Sequence, residues 1–548
     1  MSQGTTTTEA GASGDRTVVT TREELETAFA ELSPGETVRI TDENAPYRTT
    51  RWLDVDVDDV TVVGPGVRNL IQPAEGAAVG GIRIGHDSRC RAVDVRGVGF
   101  RGTLDKRNSA ERLHAVAVRD AANVTIERNY VRGTYPIAHG NGGSGISVTR
   151  DCSDVWIANN RIREFGDRGI QLGGRRIVVS GNVVTAGLDR PVACDVWYPD
   201  AENATAGAVS VFGNLLGDSV EGSLVGVARN DPVRSNEGFV SVFGNVGFGS
   251  HKSFCHVRGP EPVRNVSVRN NVSLQTTDVL GTDQRAFAGV AVDPAAGRNL
   301  AIENNALYGY SGHGVHVDSE VTDFTVRNNV VVDAGLSGVR IVDGEGGVVD
   351  GNLVTETGGV GVRLRRTANV AVRGNYVRRA GTAGIVSEGT PDAGDEVADN
   401  YVVGTNREAD DPRPAILVRN SGVRVRDNAV RRSDGPAIAD ADGAARNVYQ
   451  GNWADGDRPW CIRSPDSRVR GNVPPAGVHR ENTPDAEDAV VRVAFDRPHA
   501  DPPRLEFGRR AGGVGDVSFV TDEDGNYVGA EIAVDRRDGT LDVFVRDG

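Results

Sequence analysis

Lysine is almost missing from this chain of 548 residues: Lys106 and Lys252 are the only two, although lysine and arginine together number 61. Methionine occurs once and aromatic residues make up 5%. Acidic residues number 76, the formal net charge is −15, and no basic stretch stands out against it. That excludes the electrostatic footprint of a nucleic-acid-binding protein. Nowhere do about eighteen apolar residues run together, so no membrane insertion is expected. The first fifteen residues, MSQGTTTTEAGASGD, lack the charged-then-apolar pattern of a secretory signal. The expectation is synthesis in the cytoplasm without an encoded signal peptide: either a signal has been removed, or the protein reaches an extracellular or virion-surface location by another route, for instance on a virion released by lysis. The five cysteines, Cys90, Cys152, Cys194, Cys255 and Cys461, are odd in number and share no metal-type spacing. They read as reduced core thiols, not as a disulfide framework. Abundant Asp with scarce Lys is a halophile-type composition, and a GC-rich genome depletes lysine equally well. In molar salt the Debye length falls to about 3 Å, so a charge acts there only through direct contact or a bound ion.

What the chain does contain is a repeat. Fourteen short apolar strands end on asparagine, at Asn129, Asn160, Asn182, Asn214, Asn245, Asn271, Asn305, Asn329, Asn352, Asn375, Asn400, Asn428, Asn452 and Asn472. The intervals 329 to 352 and 352 to 375 are both 23 residues, and most others lie between 20 and 28. A fixed period of this size means one supersecondary unit stacked until neighbours bury each other's apolar faces. Inside a repeat the periodicity is two, as where Val370 and Val372 alternate with Ala371 and Arg373, which is strand and not helix. A second strand follows after a glycine signal, as in GVHVDS (314–319), GVRIVDG (338–344), GVRLRR (361–366) and GIVSEG (384–389). Asparagine suits the bend because it tolerates left-handed backbone and its amide can bond an equivalent amide one coil away, about 4.8 Å along the axis.

On these asparagine-ended and glycine-led strands the chain resembles the right-handed parallel β-helix proteins of the pectate-lyase-like superfamily, over residues 17–473. That resemblance implies an all-β solenoid. It also implies one of several activities, since such proteins include pectate and alginate lyases, polygalacturonases, uronate epimerases, viral tailspikes and adhesins.

The ends depart from the repeat. Residues 1–16 read as a flexible or docking tail. The stretch TREELETAFAEL then reads as a capping helix, with a capping box at Thr21 and Glu24 and an apolar stripe of Leu25, Phe29 and Leu32. Beyond Asn472, residues 474–488 read as a linker and 489–548 as a small antiparallel β domain, sandwich-like, with a hairpin turn at Asp524-Gly525. Asp522, Asp524 and Asn526 echo the start of a calcium loop, but no acidic residue closes it at Ala533. No cofactor is implied, Ca2+ being the one possible ion.

Two surfaces could carry function. Four consecutive intervals are long: 182 to 214 is 32 residues, 214 to 245 is 31, 245 to 271 is 26 and 271 to 305 is 34. Their loops would wall a cleft. Seven positions past each asparagine stand Asp189, Glu221, Lys252 and Asp278. In register these are catalytic candidates: carboxylates about 5 or 10 Å apart bracket glycosidase geometries, and a lysine among acids can serve as a lyase base. The plain alternative is a solvated charged surface. The second surface is an outward column on the glycine-led strands, where His316, Arg340 and Arg363 follow one another, with Asp318 and Arg365 two residues further on, Ser147, Gln171 and His256 on a comparable line in earlier coils, and Arg258 near His256. Stacked arginines repel unless an anion bridges them, which points to an acidic polysaccharide or cell-surface glycan; neighbouring carboxylates neutralising them is the other reading. Gly312-His313-Gly314 resembles the Gly-His-Gly of polygalacturonases without their other motifs, and Lys252 with Arg258 loosely echoes the Lys and Arg pair of calcium-dependent alginate lyases.

Two functions fit. One is a glycan-recognising tailspike-, tail-fibre- or adhesin-type protein, with a homotrimer possible through its end domain. The other is a polysaccharide lyase, glycoside hydrolase or uronate epimerase working in the 182–305 cleft.

Overall fold

The computed structural model describes residues 16–473 except 68–69, 78, 103–113, 135–142, 150, 188, 197–207, 230–238, 260–261, 276–286, 391, 406–412, 442, 456–458 and 465. Outside that span it describes 8–9, 478–483, 489–499, 502–507, 514–534 and 539–546. The chain divides into two compact units, Met1–Gly312 and His313–Gly548.

Both units use the same coil: a glycine-led strand, a strand ending at the ladder asparagine, and a short strand after it. In the second unit one coil comprises Val339–Glu345, Val348–Asp350 and Leu353–Thr357. Each strand pairs in parallel with its counterpart in the next coil, and alternate residues point inward. Val339, Val362, Ile385, Ile416 and Ile438 thus form one fully buried column. In the first unit Ile82, Val116, Ile146, Ile170, Val192, Val225, Cys255 and Val290 do the same. β-Branched side chains fill such columns because their fixed rotamers stack on the pleat. None of the five cysteines is joined in a disulfide. Burial pushes Cys90, Cys152 and Cys255 up to about 12, so they pack as small hydrophobes.

The asparagines form a buried ladder within each unit, Asn129 to Asn305 in the first and Asn329 to Asn472 in the second. At a typical rung the Asn352 Oδ1 accepts the Asn329 backbone N–H at 2.9 Å and its Nδ2 at 3.0 Å. The Asn352 Nδ2 donates to Val326 O at 2.9 Å in the coil below and to Asn375 Oδ1 at 2.9 Å in the coil above. The left-handed residue is not the rung itself. It is the residue before it, in all fourteen cases, among them Asn328 (φ 53°), Gly351 (φ 64°), Asp399 (φ 56°) and Gly451 (φ 67°). The two properties that make asparagine suitable are therefore split between adjacent positions.

Glycine at the head of each glycine-led strand answers to close packing. A Cβ on Gly361 would lie 2.3 Å from Val377 Cγ1 and 2.6 Å from Gly384 O. The same clash recurs at Gly314, Gly338 and Gly384. Gly361→Ala is expected to cost about 1–3 kcal/mol, because the opposing carbonyl is backbone and cannot swing aside. Thermal unfolding of the variant checks this.

The helix Arg22–Ala30 begins with the expected capping box: Thr21 accepts from the Glu24 N–H and the Glu24 carboxylate returns the bond to the Thr21 N–H. Leu25, Ala28 and Phe29 are buried, whereas Leu32 lies beyond the helix end and is half-buried. Within the expected tail, Thr8–Glu9 pairs antiparallel with Arg16–Val19.

Past Asn472 the parallel pattern gives way to two antiparallel three-stranded sheets. Gly539–Arg546 lies between Val478–Thr483 and Arg504–Phe507, and Tyr527–Val534 lies between Ala489–His499 and Val514–Thr521. Val493, Ala530, Ile532 and Val543 form the core between the sheets, with Phe495, Leu505 and Phe519 packed on it. Within the expected linker, Val478–Thr483 forms an edge strand of the first of these sheets. At the hairpin Gly525 is left-handed (φ 83°), and Asp522 Oδ1 accepts the N–H groups of Asp524 and Asn526 at 3.1 and 2.8 Å. That carboxylate is committed to the turn. Among the described residues no helix is long and apolar enough to cross a membrane.

Candidate functional site

In the first unit, register decides what the long intervals bring together. Val192, Val225 and Cys255 pair in adjacent coils, which sets Asp189 level with Gly222 and Lys252. A Cβ on Gly222 would meet Asp189 Oδ1 at 2.2 Å, and the Lys252 N–H donates to Gly222 O at 3.3 Å. Glu221 is displaced from this column by one residue and is exposed, as is Lys252. Of the stacked column of four charges expected from counting, Asp189 and Lys252 stay in line and Gly222 takes the place of Glu221. The reason is turn length: from the ladder asparagine to the paired residue is ten positions for Asn182, eleven for Asn214 and ten for Asn245. Asp278 lies outside the described residues. Asp189 and Lys252 stand two coils apart, about 10 Å.

A residue the sequence did not single out lies on the outward face instead. Arg190 is buried, and its chain runs beside Gly226: a Cβ there would lie 2.6 Å from Arg190 Cδ and 3.0 Å from Nε. Gly226 sits below His256 in the outward register. The Arg190 guanidinium can occupy this face only because position 226 has no side chain. Directly above, His256 Nε2 meets Asp293 Oδ1 at 2.7 Å, and Arg258 sits in register beneath Asp293. An imidazole held by a carboxylate through Nε2 keeps Nδ1 for proton exchange with a ligand. The signal for Arg190 was the glycine one coil away, which has meaning only after the coils are aligned.

In the second unit the outward column forms as expected. His316, Arg340 and Arg363 pair in successive coils, and the column continues as Val386, Leu417 and Ala439. It changes from cationic to apolar after Arg363. The parallel line two residues on runs Asp318, Val342, Arg365 and Glu388. Arg340 lies against His316 and 3.5 Å from Asp318. His316 Nε2 thus faces both the Arg340 guanidinium, which can only donate, and the Asp318 carboxylate at 3.4 Å, which when ionised can only accept. Arg363 Nε donates to Glu388 at 2.8 Å, and Arg419 reaches the same carboxylate at 3.5 Å. Neighbouring acids do neutralise part of the row, then, as one of the two sequence readings held. Arg365 is exposed and makes no ion pair among the described residues. Burial, with Arg363 and Arg365 nearby, lowers the Arg340 pKa against the pull of Asp318.

His313 is not on this outward line. It begins the strand His313–Arg327, is buried, and its Nδ1 accepts the Ser337 N–H at 3.1 Å. Burial first, then His316 and Arg340, push its pKa down to about 3. A ring that stays neutral at any ordinary pH orders the turn and cannot serve as a general acid. His114 does the same for Ser144 in the first unit, at 3.0 Å. Among the described residues no group of three or more His, Cys, Asp or Glu is placed to hold a metal ion.

A family model for the right-handed β-helix region matches residues 79–208 and 263–472. The chain belongs to the right-handed β-helix family. A search of curated proteins finds no match. Among solved structures the chain is similar to the A-module of a mannuronan C-5 epimerase, AlgE6, from Azotobacter vinelandii, at 13% identity and TM-score 0.26, covering 83% of this chain and 95% of that one. It is also similar to an alginate lyase from Paenibacillus, at 11% identity and TM-score 0.30, covering 68% and 98%. Gene product 12 of bacteriophage phi29, in its pre-mature form, matches at 10% identity and TM-score 0.45, covering 96% and 89%. Identities this low reach no further than the fold, so the function of this β-helix protein rests on its own side chains.

Proposed function

We propose that this β-helix protein recognises an acidic polysaccharide, as a tailspike, tail fibre or surface adhesin does, at the outward face of its glycine-led strands. The carrying observation is the cationic row of the second unit. Arg340, Arg363, Arg365, Arg366 and Arg419 gather there against Asp318, Asp343 and Glu388 in a chain of net charge −15. Arg340 and Arg363 stand one coil apart, and an anionic group bridging them relieves the repulsion between them. A charged sugar chain lying along the axis would meet the guanidinium groups of Arg340 and Arg363 in two adjacent coils. Such a role belongs outside the cell or on a virion surface.

Direct titration with a polyuronate hexamer tests this. Losing a charge-assisted hydrogen bond costs about 1.5–3 kcal/mol, so Arg363→Gln with Arg365→Ala is expected to weaken binding at least tenfold. Affinity unchanged in that double variant, or no binding by the native chain, removes the proposal.

The pair of His256 and Asp293 supports a second reading, catalysis on the same class of glycan. The 2.7 Å bond orients the imidazole; Arg258 stands two residues on along the same strand, and Arg190, 3.7 Å from Asp189, lies over Gly226 one coil below. Incubation with acidic polysaccharides, following unsaturated uronate ends and reducing sugar, separates the two readings. Turnover lost in His256→Gln favours the enzyme, and binding without turnover favours recognition. If Lys252→Ala and not His256→Gln abolishes turnover, the base is the lysine and this pair only binds.

A further inference from the structure

The short strands after the ladder asparagines carry an exposed apolar stripe. In the first unit Val183, Leu215, Val246, Val272 and Ala306 occupy one register position in five successive coils. Leu215 is 38% exposed, Val246 47% and Val272 45%. The next outward position adds Phe248, Leu274 and Tyr308, with Leu274 51% exposed. Phe248 lies over Gly217 of the coil below, where a Cβ would come within 2.3 Å of the ring. In the second unit the equivalent position holds Leu353, Tyr376 and Trp453, all more than a third exposed. Scattered apolar residues on a surface need no explanation, but one at the same register position coil after coil does.

We infer that this stripe is the face on which a second copy of the chain packs. Its pitch argues for that occupant. Apolar side chains repeat every coil, about 4.8 Å, and a partner with the same repeat can set its own row into the spaces of this one along the full length. The stripe is about 20 Å long over five coils and about 7 Å wide over two outward positions. That suits the desolvated centre of an interface burying about 800 Å² per partner, with flanking polar residues as its rim. Charge points the same way: two copies each of net charge −15 repel, and contact is least unfavourable through an uncharged strip. Salt screens the repulsion and strengthens apolar burial, so association grows with salt.

Sedimentation of the full chain in about 0.1 M and in molar sodium chloride tests the inference. Native protein is expected to sediment as more than one chain in molar salt, and Val246→Asp with Val272→Asp to weaken association at least tenfold. Both side chains are nearly half exposed, so the melting temperature should stay close to native, and Leu274→Asp gives an independent variant should the pair disturb the fold. A native chain that is monomeric in both salts overturns the inference. So does association that survives these substitutions, which would put the contact elsewhere, for instance on the end domain. Polyuronate binding should be unchanged in the variants, which keeps this outcome separate from that of the arginine row.

Discussion

Asn352→Ala is expected to destabilise the second unit by about 3–5 kcal/mol. The substitution removes the acceptor of the Asn329 backbone N–H and the donor to Val326 O, both inside the solenoid where water cannot replace them. Each buried polar group left without a partner costs about 1–3 kcal/mol, and the lost side-chain bond to Asn375 adds to that. Solenoid stability is a sum of repeat and nearest-neighbour terms, so the damage should open coils next to 352 first. Hydrogen exchange at the Asn329 amide should therefore accelerate before the rest of the unit, and the urea midpoint should fall. Asn328→Ala is the informative control. Position 328 is left-handed, with φ 53°, and alanine there costs about 1–2 kcal/mol of backbone strain without orphaning a rung. Equal losses at 328 and 352 would show that the ladder bonds contribute no more than the bend.

Stability in acid should show two opposed contributions from the second unit. His313 is held neutral, its pKa pushed from 6.5 down to about 3 by burial and nearby cations. Its contribution is complete above about pH 6.5 and is lost as pH falls towards 3, because the unfolded chain takes up the proton first. Over that window the loss is on the order of 4 kcal/mol. Asp440 acts in the other sense. It points inward, is 2% exposed, and accepts the N–H groups of Arg463 and Ser464. Burial raises it from 3.8 to about 6 despite those bonds. Its contribution is complete below about pH 4 and is lost as pH rises through 6, on the order of 3 kcal/mol. His313→Gln should flatten the acid limb between about pH 6.5 and 3, and Asp440→Asn should abolish the loss between about pH 4 and 6. Each effect is read as variant minus native in urea midpoints across pH, which cancels the many surface carboxylates. Parallel curves for either pair would remove the corresponding contribution.

The sequence by itself determined the coil. Asparagine every 20 to 34 residues, alternation of period two and a glycine before many of the second strands leave few ways to bury the apolar side chains except by stacking. It also placed His316, Arg340 and Arg363 on one outward line, because the intervals between those strands are nearly constant. Tertiary structure decided where the repeat was interrupted. Glu221 left the charged column because one coil carries an extra residue between its asparagine and its glycine-led strand, and a single step turns a side chain away from its neighbours. Arg190 reaches the outward face only where Gly226 makes room, and His256 meets Asp293 across 37 residues. Local periodicity is set by backbone hydrogen bonding and burial, both of which act within one repeat. Side chains converge according to the lengths of the turns between repeats, and no pattern within a single coil encodes that sum.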